Sequence, residues 1–400
     1  MAGMVIIGAG ECGARAAMAL REAGYKGAVT LLDAERHDPY ERPPLSKQAM
    51  LDKSAAPKGI GGADRLAEAG IDFSRSRRAE RIDRAAKSVL CDDGAVLPYE
   101  RLLIATGARP RPWPGGAGDV AYLRTFDDAA RIRAALGPGK RLVVIGGGFI
   151  GLELAASARA LKADVTVIEA QPRLLSRAVP PEIAAVLEER HAAEGVEVLT
   201  DAQVESIGDD KVLLADGTGI SADLVVIGIG AVPNVELAAE AGLALDNGIA
   251  VDATLATSDA TILAAGDCCS FPLELYDGRR VRLESWRGAQ ELGALAARNM
   301  LGAGETAAIV PWFWSDQYDM TLQIAGLAEG AEHHVRRLAK NGALLTFHLA
   351  ADGRLLAASG IGSGNAVAKD IRLSEMLIAR RAAPDPDALA DPDVNLKKLL

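Results

Sequence analysis

Two short glycine clusters carry the clearest chemistry in the sequence. Gly8, Gly10 and Gly13 lie in Gly8-Ala9-Gly10-Glu11-Cys12-Gly13, and Gly146, Gly148 and Gly151 lie in Gly146-Gly147-Gly148-Phe149-Ile150-Gly151. Each reads GxGxxG. In this pattern the first glycine permits a tight turn and the second lets backbone approach a pyrophosphate. The third lets a helix pack closely on a strand. The helix N-terminus then offers free N–H groups and a positive dipole end to the phosphates. An acid near the end of the following strand accepts from ribose hydroxyls, and such acids are present: Asp33 and Glu35 after the first cluster, Glu169 after the second. In a single copy, glycines serving only helix–strand packing would compete seriously with this reading. Two copies with matching acids favour dinucleotide binding at both.

The elements that must position these residues repeat as well. Met4–Ile7 and Leu142–Ile145 are short apolar runs before the glycines, and Ala14–Glu22 and Leu152–Leu161 are Ala- and Leu-rich helices after them. Val29–Leu32 and Val165–Ile168 are the strands that lead to the acids. Further glycine-punctuated strands are read in Leu102–Gly107, Leu224–Gly230 and Thr261–Asp267. From about Trp312 the pattern changes to alternating stretches such as Leu344–Leu349, an antiparallel sheet with helices near its end. The expected fold class is α/β: two Rossmann-like dinucleotide-binding domains in a glutathione-reductase-like layout, plus a C-terminal α+β domain. Residues 1–110 and 240–312 would form an FAD-binding domain, 111–239 an NAD-binding domain, and 313–400 the C-terminal domain. Asp385-Pro386-Asp387 and Asp391-Pro392-Asp393 read as turns.

Two dinucleotide sites imply two cofactors, FAD in the first and a nicotinamide nucleotide in the second, so that an electron pair passes between them. The first site is given to FAD because Gly266-Asp267 completes it, with Asp267 placed to bond a ribityl hydroxyl. Glu169 selects NADH, since its carboxylate accepts from ribose hydroxyls and repels a 2′-phosphate. Arg173 is the nearby cation that would rescue NADPH.

Composition sets limits. The chain has 400 residues, 49% hydrophobic and 24% charged, which suits globular domains rather than disorder. A net charge of −10 argues against nucleic acid as a partner. Cys12, Cys91, Cys268 and Cys269 are the four cysteines. They form no CxxC, so neither a metal knuckle nor a redox dithiol is expected. No run is long enough to span a membrane, and the Met4–Ile7 start does not read as a signal peptide. A cytoplasmic protein with no metal site and no membrane partner is expected.

Longer motifs carry a family resemblance. Pro39-Tyr40-Glu41-Arg42-Pro43-Pro44-Leu45-Ser46-Lys47, the second glycine cluster followed by Leu152-Glu153, Arg282–Trp286, and Pro311–Tyr318 together resemble the oxygenase-coupled NADH:ferredoxin reductases. That group includes putidaredoxin reductase and the reductases of biphenyl-type dioxygenases. The resemblance is collinear from residue 4 to about 395. It implies hydride transfer from NADH to FAD and then single electrons to a [2Fe–2S] ferredoxin feeding a terminal oxygenase, a Rieske enzyme or cytochrome P450.

The resemblance also implies residue roles. Lys47 and Glu153 match an ion pair beside the flavin, and Trp314 an aromatic near the flavin and nicotinamide face; these three are the catalytic candidates. Arg42 matches a pyrophosphate contact, and Arg124, Asp267 and Trp286 match flavin-site positions. Cys12, Ala79, Thr106, Gly107 and Gly266 complete the FAD candidates, and Phe149, Ile150 and Gly230 the NADH candidates. Read alone, Lys47 would be a solvated loop lysine, Glu153 a favourable acid in a helix's first turn, Asp267 an N-cap, and both tryptophans core. One departure is that the family's usual ribose acid falls at Ala34, flanked here by acids; Glu35 is the first choice and Asp33 the second. Two arginine clusters, Arg75/Arg77/Arg78 and Arg279/Arg280/Arg282/Arg287, are candidate basic patches for an acidic ferredoxin. The alternatives are an NADH oxidase or peroxidase, which would want a Cys near Lys47 where none lies, and an apoptosis-inducing-factor-like redox signalling module.

Overall fold

The computed structural model describes residues 2–115 and 118–400. The chain divides into two compact units. The first comprises residues 1–42, 57–109 and 232–309, and the second 43–56, 110–231 and 310–400. Residues 43–56, expected inside the FAD-binding stretch, therefore group with the second unit. The reason is local: the short helix Gln48–Leu51 packs on helices Phe126–Ala135 and Phe149–Ala160. Arg133 also donates to the carbonyls of Ala49 and Asp52 at 2.6 and 2.7 Å.

The first unit is built on a sheet whose order is Asp72–Ser74, Val29–Leu32, Gly3–Ile7, Val96–Ile104, Ser88–Cys91 and Ala79–Asp83, with Ile262–Ala264 also paired to Val96–Ile104. The Val96–Ile104 strand starts six residues before the apolar run at Leu102. Its outer half, Val96–Pro98, is not itself buried and pairs antiparallel with Ser88–Leu90, and its inner half pairs parallel with Met4–Ile7 and Ile262–Ala264. Ile6, Leu31, Leu102, Leu103 and Ile104 are fully buried. Such continuous apolar strands mark a parallel sheet covered on both faces. Helix Glu11–Glu22 packs along helix Trp286–Met300. A Cβ on Gly293 would lie 2.3 Å from the Cys12 carbonyl oxygen, so only glycine permits this helix spacing.

The second unit holds the other parallel sheet, ordered Val196–Leu199, Asp164–Ile168, Arg141–Ile145, Leu224–Ile227 and Val120–Ala121. A small antiparallel sheet, Val204–Ile207, Lys211–Leu214 and Gly219–Ser221, covers part of its apolar face. The C-terminal part is a five-stranded antiparallel sheet in the order Trp312–Gln317, Met320–Gly326, Leu355–Ser363, Leu344–Leu349 and His333–Leu338, with helix Ala368–Ala379 packed on it. This is the α+β arrangement expected. The stretch read as a turn at Asp385 differs: Asp385 caps a short helix, Pro386–Ala390, by accepting from the Asp387 N–H. Proline at the first helical position is tolerated because its missing N–H would be unpaired there anyway.

All six residues of Leu344–Leu349 are buried, and one of them is His348, 3% exposed. Its Nδ1 lies 3.0 Å from that of its cross-strand neighbour His334, and its Nε2 lies 3.4 Å from the Ser359 hydroxyl. Burial, then repulsion from His334, lowers its pKa from 6.5 to about 4, with Glu182 opposing. An unfolded chain therefore takes up this proton first, and stability falls as pH drops from 6.5 towards 4. In His348→Gln that loss should be smaller by about 2–3 kcal/mol, read as the difference between urea unfolding free energies at pH 7 and pH 4.5. Equal losses in parent and variant would remove His348 from the acid response.

Candidate functional site

In the first unit the chain turns sharply at Gly8, whose φ is +101° and whose N–H donates to the Leu32 carbonyl at 2.8 Å. A Cβ here would sit 2.4 Å from the Ala105 oxygen, and one on Gly13 would sit 1.8 Å from the Gly8 oxygen. Gly10 is different. It is the N-cap of helix Glu11–Glu22, has no side-chain cap, and an added Cβ would meet nothing within 4 Å. That open space beside uncapped N–H groups is the shape a pyrophosphate requires.

Asp33 follows directly on the Val29–Leu32 strand, and its Oδ1 accepts from the Glu35 N–H at 3.1 Å. Burial raises its pKa, and backbone donors on Glu35 and Ala9 oppose the shift. Glu35 is engaged elsewhere: its carboxylate takes Arg42 Nη2 at 2.7 Å and the Tyr40 hydroxyl at 2.6 Å. The sequence does not reveal Tyr40 as a partner, although the motif contains it. Cys12 is buried against Gly266, where a Cβ would lie 3.0 Å from the Cys12 Cβ, and Asp267 follows. Thr106 Oγ1 donates to the Asn234 carbonyl at 2.8 Å, Asn234 Nδ2 returns a bond to the Thr106 carbonyl at 2.8 Å, and the Gly107 carbonyl accepts from the Asn234 N–H at 2.9 Å. Ala79 opens a strand as a buried residue. Trp286 opens the helix capped by Ser285. Beside it, burial raises the pKa of Glu11, opposed by side-chain donors on Gln290 and Trp286.

The second unit repeats the cradle. Gly146 has φ +111° and donates to the Ile168 carbonyl at 2.8 Å. Cβ atoms on Gly146 and Gly151 would meet carbonyl oxygens at 2.4 and 2.3 Å, and one on the N-cap Gly148 would meet nothing. Glu169 accepts from the Gly147 N–H at 2.7 Å and the Gln171 N–H at 2.8 Å. Gly8 bonds Leu32 as Gly146 bonds Ile168, so Asp33 and Glu169 occupy the same place in the two copies. Arg173 turns to the carbonyls of Leu174 and Ser176. Gly230 has φ +110°, Ile150 is 48% exposed, and the Phe149 ring lies 4.5 Å from that of Phe313.

Also in the second unit, Glu153 is only 4% exposed on helix Phe149–Ala160. Its Oε1 accepts Lys47 Nζ at 2.9 Å and Ser315 Oγ at 2.7 Å, and its Oε2 accepts Ser46 Oγ at 2.5 Å. The turn Pro43–Ser46 presents Lys47, and the Ser157 hydroxyl anchors the Ser46 carbonyl at 2.7 Å. Lys47 Nζ lies 5.6 Å from the centre of the Trp314 ring and 4.0 Å from Asp316 Oδ2. Trp314 stacks on Trp312 at 5.3 Å and donates to Asp316 Oδ2 at 3.0 Å. Ser46 and Ser315 are therefore members of this centre that the sequence motifs contain but do not mark. Arg124 precedes the capping box of helix Phe126–Ala135, and its N–H donates to Asp128. A fixed cation held by a buried carboxylate can orient a negative or polarised group beside it.

The arginine clusters are less basic than their composition suggests. Arg75 pairs with Asp38, Arg77 with Asp93, Arg280 with Asp246, Arg282 with Glu284 and Arg287 with Glu291.

Comparison with known proteins places these features in a family. Residues 3–293 match the pyridine nucleotide-disulphide oxidoreductase model, and residues 312–400 match the reductase C-terminal model. The chain is 43% identical over 405 residues to the ferredoxin–NAD(+) reductase component of the anthranilate 1,2-dioxygenase system of Burkholderia cepacia, covering 99% of this chain and 98% of that protein. It is 38% identical over 416 residues to putidaredoxin reductase of Pseudomonas putida, covering 99% and 96%. The reductase in a crystal structure of the covalent putidaredoxin reductase–putidaredoxin complex superposes with a TM-score of 0.93 at 37% identity, covering 100% of this chain and 98% of that one.

The cradle geometry separates two kinds of glycine. Gly13→Ala and Gly151→Ala push a methyl group into a carbonyl oxygen and should each destabilise the protein by about 2 kcal/mol or more. Gly10→Ala and Gly148→Ala should stay within about 0.5 kcal/mol of the parent. Urea unfolding of the four variants checks this, and a loss at Gly10→Ala or Gly148→Ala as large as that at Gly13→Ala and Gly151→Ala would contradict the assignment of roles.

Proposed function

The chain belongs to the pyridine nucleotide-disulphide oxidoreductase family and carries the reductase C-terminal domain; from that premise we propose that it passes electrons from NADH through FAD to a [2Fe–2S] ferredoxin serving an oxygenase. The observation that carries this reading is the pair of glycine cradles, each with room at its N-cap and an acid beside its turn. Disulfide chemistry, the other activity in the family's name, needs an accessible thiolate. All four cysteines are free and buried, and burial raises the pKa of each thiol.

The geometry and the resemblance support the following roles. FAD, when bound, takes an electron pair as hydride and releases electrons one at a time. Residues 1–110 and 240–312 serve FAD, 111–239 serve NADH, and 313–400 form the C-terminal domain. Gly8, Gly10 and Gly13 with the helix N-terminus receive the FAD pyrophosphate. Asp33 takes the adenosine ribose, because it matches Glu169 in the repeat while Glu35 is occupied by Arg42 and Tyr40. Asp267 serves the ribityl chain. Glu169 receives the NADH ribose, and its two backbone donors keep the carboxylate facing its cradle. Lys47, held by Glu153 and flanked by Trp314, positions the reacting rings and supplies fixed positive charge; hydride transfer moves no separate proton there. Among the described residues no helix is long and apolar enough to cross a membrane, and four free thiols suit a reducing cytoplasm.

The purified protein should be yellow, with non-covalent FAD, and should catalyse NADH-dependent reduction of a [2Fe–2S] ferredoxin. Absence of flavin after reconstitution, or reduction of oxygen alone, would overturn the reading. NADPH should be the poorer donor, and Glu169→Ser should narrow the gap in kcat/KM. Asp33→Asn should weaken FAD binding about tenfold or more, and Glu35→Gln by less; titration of the apoprotein with FAD decides between the two acids. Lys47→Met should slow anaerobic flavin reduction at saturating NADH by tenfold or more, with FAD content unchanged. A Lys47→Met rate equal to that of the parent would make Lys47 a bystander.

A further inference from the structure

The polar contacts of Glu153 continue within the second unit beyond anything the reaction above requires. Ser315, which donates to Glu153, accepts in turn from Gln317 Nε2 at 3.0 Å. Gln317 Oε1 lies 2.8 Å from His191 Nε2, and His191 Nδ1 lies 3.0 Å from the Tyr318 hydroxyl. Ser315 and Gln317 are each 1% exposed and His191 is fully buried. Ser315 and Gln317 share one face of the Trp312–Gln317 strand, as period two requires. His191 reaches them from helix Pro181–Ala193. Tyr318 has φ +56°, a backbone conformation that costs energy for a bulky residue. Its ring meets His191 edge-on at 5.1 Å, under the Arg190 guanidinium at 4.8 Å.

A chain of these groups has two possible proton arrangements, and the carboxylate at its end selects one. A carboxylate only accepts, so the Ser315 hydroxyl must donate to Glu153. The Ser315 oxygen then accepts, and Gln317 must turn its NH₂ towards it. The Gln317 carbonyl thereby faces His191, whose Nε2 must carry hydrogen. Nδ1 is then bare and accepts from Tyr318. The opposite arrangement would set the Ser315 lone pairs against the carboxylate at 2.7 Å.

The groups facing each member fit this order. Burial lowers the pKa of His191, opposed by its Gln317 bond and aided by Arg190, which favours the neutral ring that the chain requires. Burial, then Glu194, raises the pKa of the Tyr318 hydroxyl, with Arg190 and Arg159 opposing, so it keeps the proton it donates. Lys47 faces Glu153 from the Pro43–Ser46 turn, with Asp316 beyond it. The carboxamide in the middle cannot relay a proton without leaving its amide form, so the chain orients rather than conducts.

We propose that His191, Gln317 and Tyr318 are positioning residues whose one-way hydrogen-bond chain fixes the Glu153 carboxylate and, through it, the Lys47 ammonium for flavin reduction. The inference rests on the reading that Lys47 acts at the flavin.

The test combines kinetics with a readout that needs no turnover. Gln317→Leu should slow anaerobic flavin reduction at saturating NADH about tenfold, with half-saturation by NADH and FAD content unchanged. Tyr318→Phe, which removes one hydroxyl and keeps the ring, should slow it about threefold by the same route, and it carries the test if Gln317→Leu does not fold. In the Lys47→Met background each change should add less than about twofold, because the group they act through is gone. Full-sized effects in that background, or normal rates in both folded variants, overturn the proposal.

Histidine-selective ¹⁵N NMR of the full-length protein, which has five histidines, should find His191 as the neutral Nε2–H tautomer at pH 7. Glu153→Gln, which can donate to Ser315, should admit the Nδ1–H form. An Nδ1–H or charged His191 in the parent, or no change in Glu153→Gln, overturns the proposal as well. A parent flavin that NADH does not reduce instead overturns the oxidoreductase reading and takes the proposal with it.

Discussion

The second unit is organised around a buried carboxylate. Glu153 is 4% exposed, and a carboxylate removed from water must find hydrogen-bond donors or an opposite charge. It finds them on the Pro43–Lys47 loop and on the first strand of the C-terminal sheet, 106 to 162 residues away in sequence. One side chain therefore joins a loop, a helix and a sheet. Removing only the lysine would leave the charge buried with hydroxyl partners alone, which is far costlier than losing a surface ion pair.

How much of this was legible in the sequence depended on whether the information was local. The glycine cradles were legible because all three glycines of each fall within six residues, combining a turn with positive φ, a close approach and an uncapped helix start. The central parallel strands were legible as mainly apolar runs, whereas the edge strands Asp72–Ser74, Val196–Leu199 and Val120–Ala121, short or partly polar, were not. The start of the Val96–Ile104 strand was not, because its outer half is held by backbone pairing to a neighbouring hairpin strand rather than by burial. The helix after Asp385 was hidden for a different reason: Asp-Pro-Asp signals a turn and a capped helix start equally well.

The candidate site divides in the same way. Lys47 and Glu153 stood out because long motifs contain them. Their contacts with Ser46 and Ser315 depend on tertiary packing that no periodicity reports. The choice between Asp33 and Glu35 was also a tertiary question. Spacing alone put both acids near the strand end, and only the bonds from Arg42 and Tyr40 show that Glu35 is occupied. The internal repeat then supplies a comparison within one molecule, since the Gly8–Leu32 and Gly146–Ile168 bonds superimpose one acid on the other.

The sheet of the first unit also constrains how the chain can fold as it is made. The inner half of Val96–Ile104 lies between Gly3–Ile7, already synthesised, and Ile262–Ala264, which emerges about 160 residues later. At about 5–20 residues per second, the ribosome takes on the order of ten seconds or more to deliver that last parallel strand. Until then the fully buried run Leu102-Leu103-Ile104 has an open edge, the kind of apolar strand that pairs readily with other chains. The segments of the second unit that intervene, residues 110–231, are long enough to form their own parallel sheet during this interval. The interval before Ile262–Ala264 arrives is therefore the stage of synthesis at which this sheet is most open to pairing with other chains.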